Sequence, residues 1–183
     1  HVLGFDIRDR FQTEGALSAL PDRFREVDLL VNNAGLASGF EHLDEGDPHD
    51  WERMIDTNVK GLLYVTRVVS GWMIRRGKGG HIVNLGSIAG TQAYENGAVY
   101  CASKHAVHAL SQGMRMDFLS HGIKVTEIRP GMVDTEFSTV RFHGDKKRAA
   151  EVYRGDEPLT GDDIAGIVAW GVSLPPHVNI NDI

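Results

Sequence analysis

The stretch VDLLVNNAG, Val27 to Gly35, decides the fold. Its first six residues form a short, nearly continuous apolar run, the pattern of a strand covered on both faces. Small and polar residues then take over at once, in Asn32-Asn-Ala-Gly35. Two later runs repeat the arrangement: HIVNL, His81 to Leu85, ahead of a Gly/Ser loop, and IKVTEI, Ile123 to Ile128, broken by Pro130-Gly131. His1 to Ile7 reads as a further strand. Between the runs lie segments with helical spacing. Pro48 to Arg76 reads as one long helix, with Asp47 as N-cap, Pro48 at the first helical position, and Gly77-Lys-Gly-Gly80 ending it. Its apolar residues Met54, Leu62, Leu63, Val65, Val68, Val69 and Trp72 are mainly core. Ala98 to Leu119 is a second long helix, Gly161 to about Ser173 a third behind Thr160, and Arg10 to Arg25 one interrupted near Pro21. Strand and helix in alternation mean βαβ units, hence an α/β fold with a doubly wound parallel sheet and helices on both faces. Ligands of such sheets bind beyond the carboxyl ends of the strands.

Bulk properties narrow the class. The 183 residues suit one domain, 1–183, with no repeat or linker. A formal net charge of -6 argues against nucleic acid or an anionic membrane as partner, since both favour a basic face. No apolar run approaches the ~20 residues of a membrane span. The single cysteine, Cys101, allows no intrachain disulfide, so nothing calls for an oxidising compartment and a cytoplasmic location is expected.

The chemistry concentrates after the strands. Tyr100-Cys-Ala-Ser-Lys104 sets a phenol and an ammonium four apart, on one helix face. A nearby ammonium favours the phenolate, which lowers a pKa otherwise near 10 towards the working range. The pair suits proton transfer between an alcohol and a carbonyl; alone it reads equally as a surface lysine beside a packed tyrosine. Ser87, at the end of HIVNL, offers a hydroxyl to a substrate oxygen, or closes a plain turn. Asn58 sits inside the long helix, where Asn has poor propensity: either a locally bonded amide or a polar group kept to bridge water or backbone near the site. Asn32-Asn-Ala-Gly35 lets a flat ligand approach the backbone. Asp6 ends the first run, as a nucleotide acceptor or as a helix N-cap. His105 and His108 lie three apart, but no third ligand with fitting spacing presents itself, so no metal is expected.

NNAG, Asn58, Ser87, YxxxK and PG, in this order and spacing, resemble the short-chain dehydrogenase/reductase family over essentially the whole chain. The resemblance implies a Rossmann-like fold and an NAD(P)-dependent oxidoreductase. It implies that Tyr100 exchanges a proton with the substrate oxygen, that Lys104 depresses the Tyr100 pKa and binds the nicotinamide ribose, that Ser87 orients the carbonyl, and that Asn58 organises a water relay near Lys104. Asp6 and Ile7 match the adenine-binding pair at the end of the family's third strand, and Asn33 the cofactor-contacting Asn. Pro130, Gly131, Met132, Val133 and Thr135, with Asp134 between, match the segment that holds the carboxamide. Family helices at the positions of the long helices here form oligomer interfaces, so a homo-oligomer, tetramer or dimer, is expected.

Residues 136–160 form the expected substrate-loop region. Thr135 to Gly144, the polar stretch up to Tyr153, and Leu174 to Asn181 resemble the subgroup of NADP-dependent 3-hydroxy acid and L-serine dehydrogenases. The substrate would then be a small hydroxy acid, for whose carboxylate Arg141 is the candidate cation; otherwise Arg141 faces solvent. A Gly-rich GxxxGxG phosphate turn does not occur in the sequence. Matching Asp6 to the third strand implies that roughly 50 residues of N-terminal strand–helix units precede this chain in the family. The residues that distinguish NADP from NAD follow the second strand, so NADP, with NAD as the alternative, rests on the subgroup. The competing readings are a reductase of the same family for a ketone, sugar or acyl thioester, and a non-catalytic binding protein.

Overall fold

The middle strand is the most deeply covered element. In the computed structural model, which describes residues 1–155 and 157–183, His81, Ile82, Val83 and Asn84 are all buried. Residue 156, within the region 136–160, lies outside the described residues. Element order is α1 (Arg10–Ser18), β1 (Leu29–Asn32), α2 (Pro48–Ile55), α3 (Leu62–Arg76), β2 (Gly80–Leu85), α4 (Ala98–Phe118) and β3 (Ile123–Ile128). A short strand β4 (Val133–Asp134), helices α5 (Phe137–Arg141) and α6 (Lys146–Glu151), strand β5 (Leu159–Thr160) and helix α7 (Gly161–Ser173) follow. The sheet runs β1-β2-β3, parallel throughout, with Leu29 opposite His81 and Gly80 opposite Ile123. Beyond β3 the chain's last residues begin another parallel pairing, in which Ile183 donates to the Glu127 carbonyl and Arg129 to the Ile183 carbonyl.

Leu62, Val69 and Met73 of α3 and Val107 and Met114 of α4 close over Ile82, Ile123 and Val125 on one face of the sheet. Burial of these side chains is the main stabilising contribution, at roughly 1.5–3 kcal/mol each. Within that core, Asn32 Nδ2 donates to Thr66 Oγ1 at 2.9 Å and to Asn84 Oδ1 at 2.8 Å, while Asn84 Nδ2 donates to Ser111 Oγ at 2.9 Å. This buried network fixes both helices against the strand ends from which the site is built. Thr160 and Asp163 form a reciprocal capping box at the start of α7, which flanks the opposite face.

Two expectations are corrected. His1 to Ile7 is not a strand: no neighbouring strand pairs with it among the described residues, and a strand requires a ladder. Leu29 and Val31 of β1 are exposed, on the face that lines the cleft described below. The helix from Pro48 to Arg76 is interrupted by a π-helical segment, Asp56–Gly61, where an inward-turned Asn58 side chain bonds another part of the backbone and not its own helix.

Candidate active site

Three strand ends open into one cleft of about 1090 Å³. Its walls come from Asn33 and Gly35 after β1, Leu85 to Ser87 at the end of β2, Pro130, Gly131, Val133 and Thr135 after β3, and the apolar face of α7 with Ile164 and Val168. Tyr100 and Lys104 of α4 reach into it from the side. Ser87, Tyr100 and Lys104, which the sequence singles out, therefore face the same space.

Each is positioned by its local backbone. Ser87 caps a single 3₁₀ turn, its Oγ accepting from Ala89 N–H at 3.1 Å. Tyr100 and Lys104 occupy successive turns on the buried face of α4. Lys104 Nζ donates to the Leu85 carbonyl at 2.8 Å and stands 5.9 Å from the centre of the Tyr100 ring. Edge-to-face packing on Phe137, at 5.6 Å, fixes the ring from the other side. Asn58 lies fully inside. Its Oδ1 accepts from Leu36 N–H, and its Nδ2 donates to the Leu36 carbonyl and to Ser103 Oγ. It thus bridges backbone beside the NNAG loop.

The electrostatics depart from the expectation drawn from spacing. Burial pushes the Tyr100 phenol up to about 12, against the opposing pull of the Ser87 hydroxyl and the Arg141 charge. Lys104 is not the dominant influence: burial lowers its own value to about 8, with Glu127 opposing. In a desolvated site both charged forms are disfavoured, and four-residue spacing on a helix reports proximity but not desolvation.

Other expected residues divide. Asn33, Pro130, Gly131, Val133 and Thr135 line the cleft, while Met132 is partly exposed and stands outside its lining. Asp6 and Ile7 are not among the lining residues either. Asp6 is held by Arg8 at 2.6 Å, which lowers its carboxyl to about 2 through hydrogen bonding, and the N-cap of α1 is Asp9. Ile7 lies against Gly61. Arg141 is no solvent-facing arginine: its guanidinium stands 5.2 Å from the ring centres of both Tyr100 and Phe137, 5.4 Å from Phe40, and bonds the Tyr94 hydroxyl. It lines, together with Tyr100, a small recess of about 20 Å³ and is not among the residues lining the cleft. Among the described residues no group of three metal-ligating side chains lies together, and no helix is long and apolar enough to cross a membrane.

Sequence reasoning missed Glu127, which is wholly buried in β3 and bonded to His108 at 2.6 Å. A carboxylate inside IKVTEI, next to the strand's apolar end at Ile128, was the available signal.

Comparison with known proteins agrees with this geometry. The sequence profile of the family described as short chain dehydrogenase matches residues 1–146. The NADP-dependent 3-hydroxy acid dehydrogenase YdfG of Salmonella typhi is 46% identical over 179 residues, covering 97% of this chain and 72% of that protein. Serine 3-dehydrogenase of Agrobacterium fabrum is 43% identical over 183 residues, covering 100% of this chain and 73% of that protein. Among solved structures, the closed form of a serine dehydrogenase complexed with NADP+ superposes with a TM-score of 0.94 at 46% identity, over 98% of this chain and 72% of that one.

Proposed function

The chain belongs to the short chain dehydrogenase family, and on that premise we propose that it transfers hydride between NADP(H) and a small 3-hydroxy acid, L-serine included, or the matching carbonyl compound. The observation that carries this reading is the convergence of Ser87, Tyr100 and Lys104 on one wall of the strand-end cleft. The named relatives, NADP-dependent 3-hydroxy acid and serine dehydrogenases, support the cofactor and the substrate class.

The residues present suit the nicotinamide end of such a cofactor. Gly35 passes close to two of the site's polar groups: an added methyl group would stand 3.3 Å from Asn58 Oδ1 and 3.5 Å from Lys104 Nζ. Asn33, Lys104 and the Pro130–Thr135 segment would hold the group, with Met132 at the rim. Asp6 and Ile7, which do not reach the cleft, are proposed for the adenine end on the family match alone. When bound, NADP(H) supplies or accepts the hydride at the substrate carbon. Tyr100 donates the proton to the carbonyl oxygen in reduction and takes it from the hydroxyl in oxidation, so that the alcohol loses one hydride and one proton. Held up to about 12 by burial, the phenol is in its protonated, donor form at neutral pH; oxidation needs the phenolate, which the Lys104 ammonium favours. Ser87 hydrogen-bonds the same substrate oxygen. Lys104 presents its cationic form beneath the phenol, and Asn58 keeps the loop at Leu36 and the helix at Ser103 in register. Arg141, stacked beside Tyr100, is proposed to receive the substrate carboxylate. Residues 136–160 are the proposed substrate loop of one domain, 1–183.

A soluble homo-oligomer, tetramer or dimer, in the cytoplasm completes the proposal. Exposed Leu63 on α3 and Met116 on α4 are apolar surface of the kind subunits cover. The test is a panel of L-serine, 3-hydroxyisobutyrate and 3-hydroxypropionate, each with NADP+ and NAD+. Turnover of at least one with NADP+ is expected. Turnover of none, alongside activity on a ketone, sugar or acyl thioester, would overturn the substrate assignment.

A further inference from the structure

Four residues on one face of α4 stand at four-residue intervals: Tyr100, Lys104, His108 and Gln112. The first two belong to the site described above. The third, His108, donates from Nδ1 to Glu127 Oε2 at 2.6 Å, and its Nε2 meets the Gln112 amide nitrogen at 3.1 Å. The Gln112 amide nitrogen can donate to Nε2 while Nδ1 donates to Glu127, an arrangement in which the Glu127–His108 couple carries the single negative charge of the carboxylate. Glu127 is wholly buried, and its other oxygen, Oε1, has no hydrogen-bond partner among the described residues. That oxygen is turned against Gly86, where an added methyl group would overlap it. Gly86 directly follows Leu85, whose carbonyl receives the Lys104 ammonium.

We propose that the Glu127–His108 couple is a positioning element for Lys104: a fixed negative charge behind the lysine's carbonyl anchor that holds Lys104 in its ammonium form. A cation in a desolvated pocket needs such a counter-charge to remain charged. Burial draws Lys104 down to about 8, and Glu127 is the charged group that opposes the fall. Other charged side chains on the elements packed around Glu127 are engaged elsewhere. On α4, Arg115 bonds the Val125 and Asn181 carbonyls; on β3, Lys124 donates to the Val178 carbonyl, and just beyond β3 Arg129 pairs with Asp182 of the C-terminal segment. His105, also on α4, bonds its own helix at the Cys101 carbonyl.

The electrostatic claim stands without the functional reading; only its consequence for turnover rests on that reading. The experiment is an NMR titration of the protein carrying ¹³Cε-labelled lysine, with the Lys104 resonance assigned by loss in Lys104→Arg. Glu127→Gln is expected to lower the Lys104 midpoint by about 1 pH unit. His108→Ala, at the more exposed end of the couple, is expected to move it the same way, because it strips the buried carboxylate of its hydrogen-bond partner. The alkaline limb of the pH profile for NADPH-dependent reduction is expected to follow by the same amount, with activity at neutral pH within about threefold of wild type. Should Glu127→Gln fail to fold, His108→Ala carries the test. A midpoint unchanged or raised in the folded variants overturns the proposal. A Lys104 midpoint that falls while the substrate panel shows no turnover overturns the functional reading and leaves the couple's role intact.

Discussion

Asn58 holds both hydrogen-bonding groups of the Leu36 backbone: Oδ1 accepts its N–H and Nδ2 donates to its carbonyl, each at 2.8 Å. The same amide reaches Ser103 Oγ at 3.0 Å, and Ser103 in turn donates to the Tyr100 carbonyl at 2.7 Å. One side chain in the π-helical segment therefore joins the loop after β1 to the turn of α4 that bears Tyr100. A plain α-helix through Asp56–Gly61 would place the amide differently, which gives the π segment a physical reason to exist.

Asn58→Leu leaves the Leu36 backbone groups unpartnered in a buried setting. At roughly 1–3 kcal/mol for each of the two groups, a total loss of about 2–6 kcal/mol is expected as a lower midpoint in urea unfolding. A wild-type midpoint for Asn58→Leu would show that the clamp does not support the fold.

Tyr100→Phe removes one oxygen and keeps the ring, whose packing on Phe137 is edge-to-face. Activity in both directions is expected to fall by ~100-fold or more, while the thermal midpoint stays within a few degrees. Ser87→Ala is expected to lower kcat/KM for the same reason, by less than the Tyr100 change, since it removes a hydrogen bond to the reacting oxygen but not the proton. Near-normal turnover of Tyr100→Phe would remove the tyrosine from the mechanism.

Arg141 is packed by Tyr94, Phe40, Phe137 and Tyr100, and its Nε is buried without a partner among the described residues. If that guanidinium receives the substrate carboxylate, Arg141→Ala is expected to raise KM for a 3-hydroxy acid by about 10- to 100-fold, from the ~1.5–3 kcal/mol of a charge-assisted contact. The decisive comparison is an alcohol of the same size without a carboxylate, whose KM is expected to change little. An equal rise for both would make Arg141 a packing residue.

Much of this was legible in the sequence because the signals were local. VDLLVN and HIVNL announce parallel strands by continuity of apolar residues, although Leu29 and Val31 are exposed and β1 is not covered on both faces, and Asp47 and Thr160 announce helix starts by capping chemistry. What stayed hidden depends on depth or on a distant partner. Asp56–Gly61 carries no composition that separates a π turn from an α turn; its cause is the Leu36 backbone, far along the chain. His1 to Ile7 has a strand-like composition and no ladder partner among the described residues. The spacing of Tyr100 and Lys104 placed them together, yet the direction of the phenol's shift is decided by burial, which spacing does not encode.

His81 gives the fold a pH dependence whose sign follows from its burial. Thr126 Oγ1 donates to the Ile180 carbonyl at 2.7 Å, so at 2.8 Å it accepts from His81 Nε2. Burial, with Lys124 adding to it, lowers His81 from 6.5 to about 4. Between those values the unfolded chain binds a proton that the folded chain refuses, so stability is full above pH 6.5 and declines as the pH falls towards 4. The loss attributable to this one group is up to about 3 kcal/mol. Carboxylates titrate over part of the same range, so the measurement is a difference: urea midpoints of wild type and His81→Gln at pH 7, 6, 5 and 4. The variant starts less stable at pH 7, because its amide does not reproduce the ring's packing, but it is expected to lose less on acidification. Parallel curves for the two proteins would show that His81 is not what makes the fold acid-sensitive.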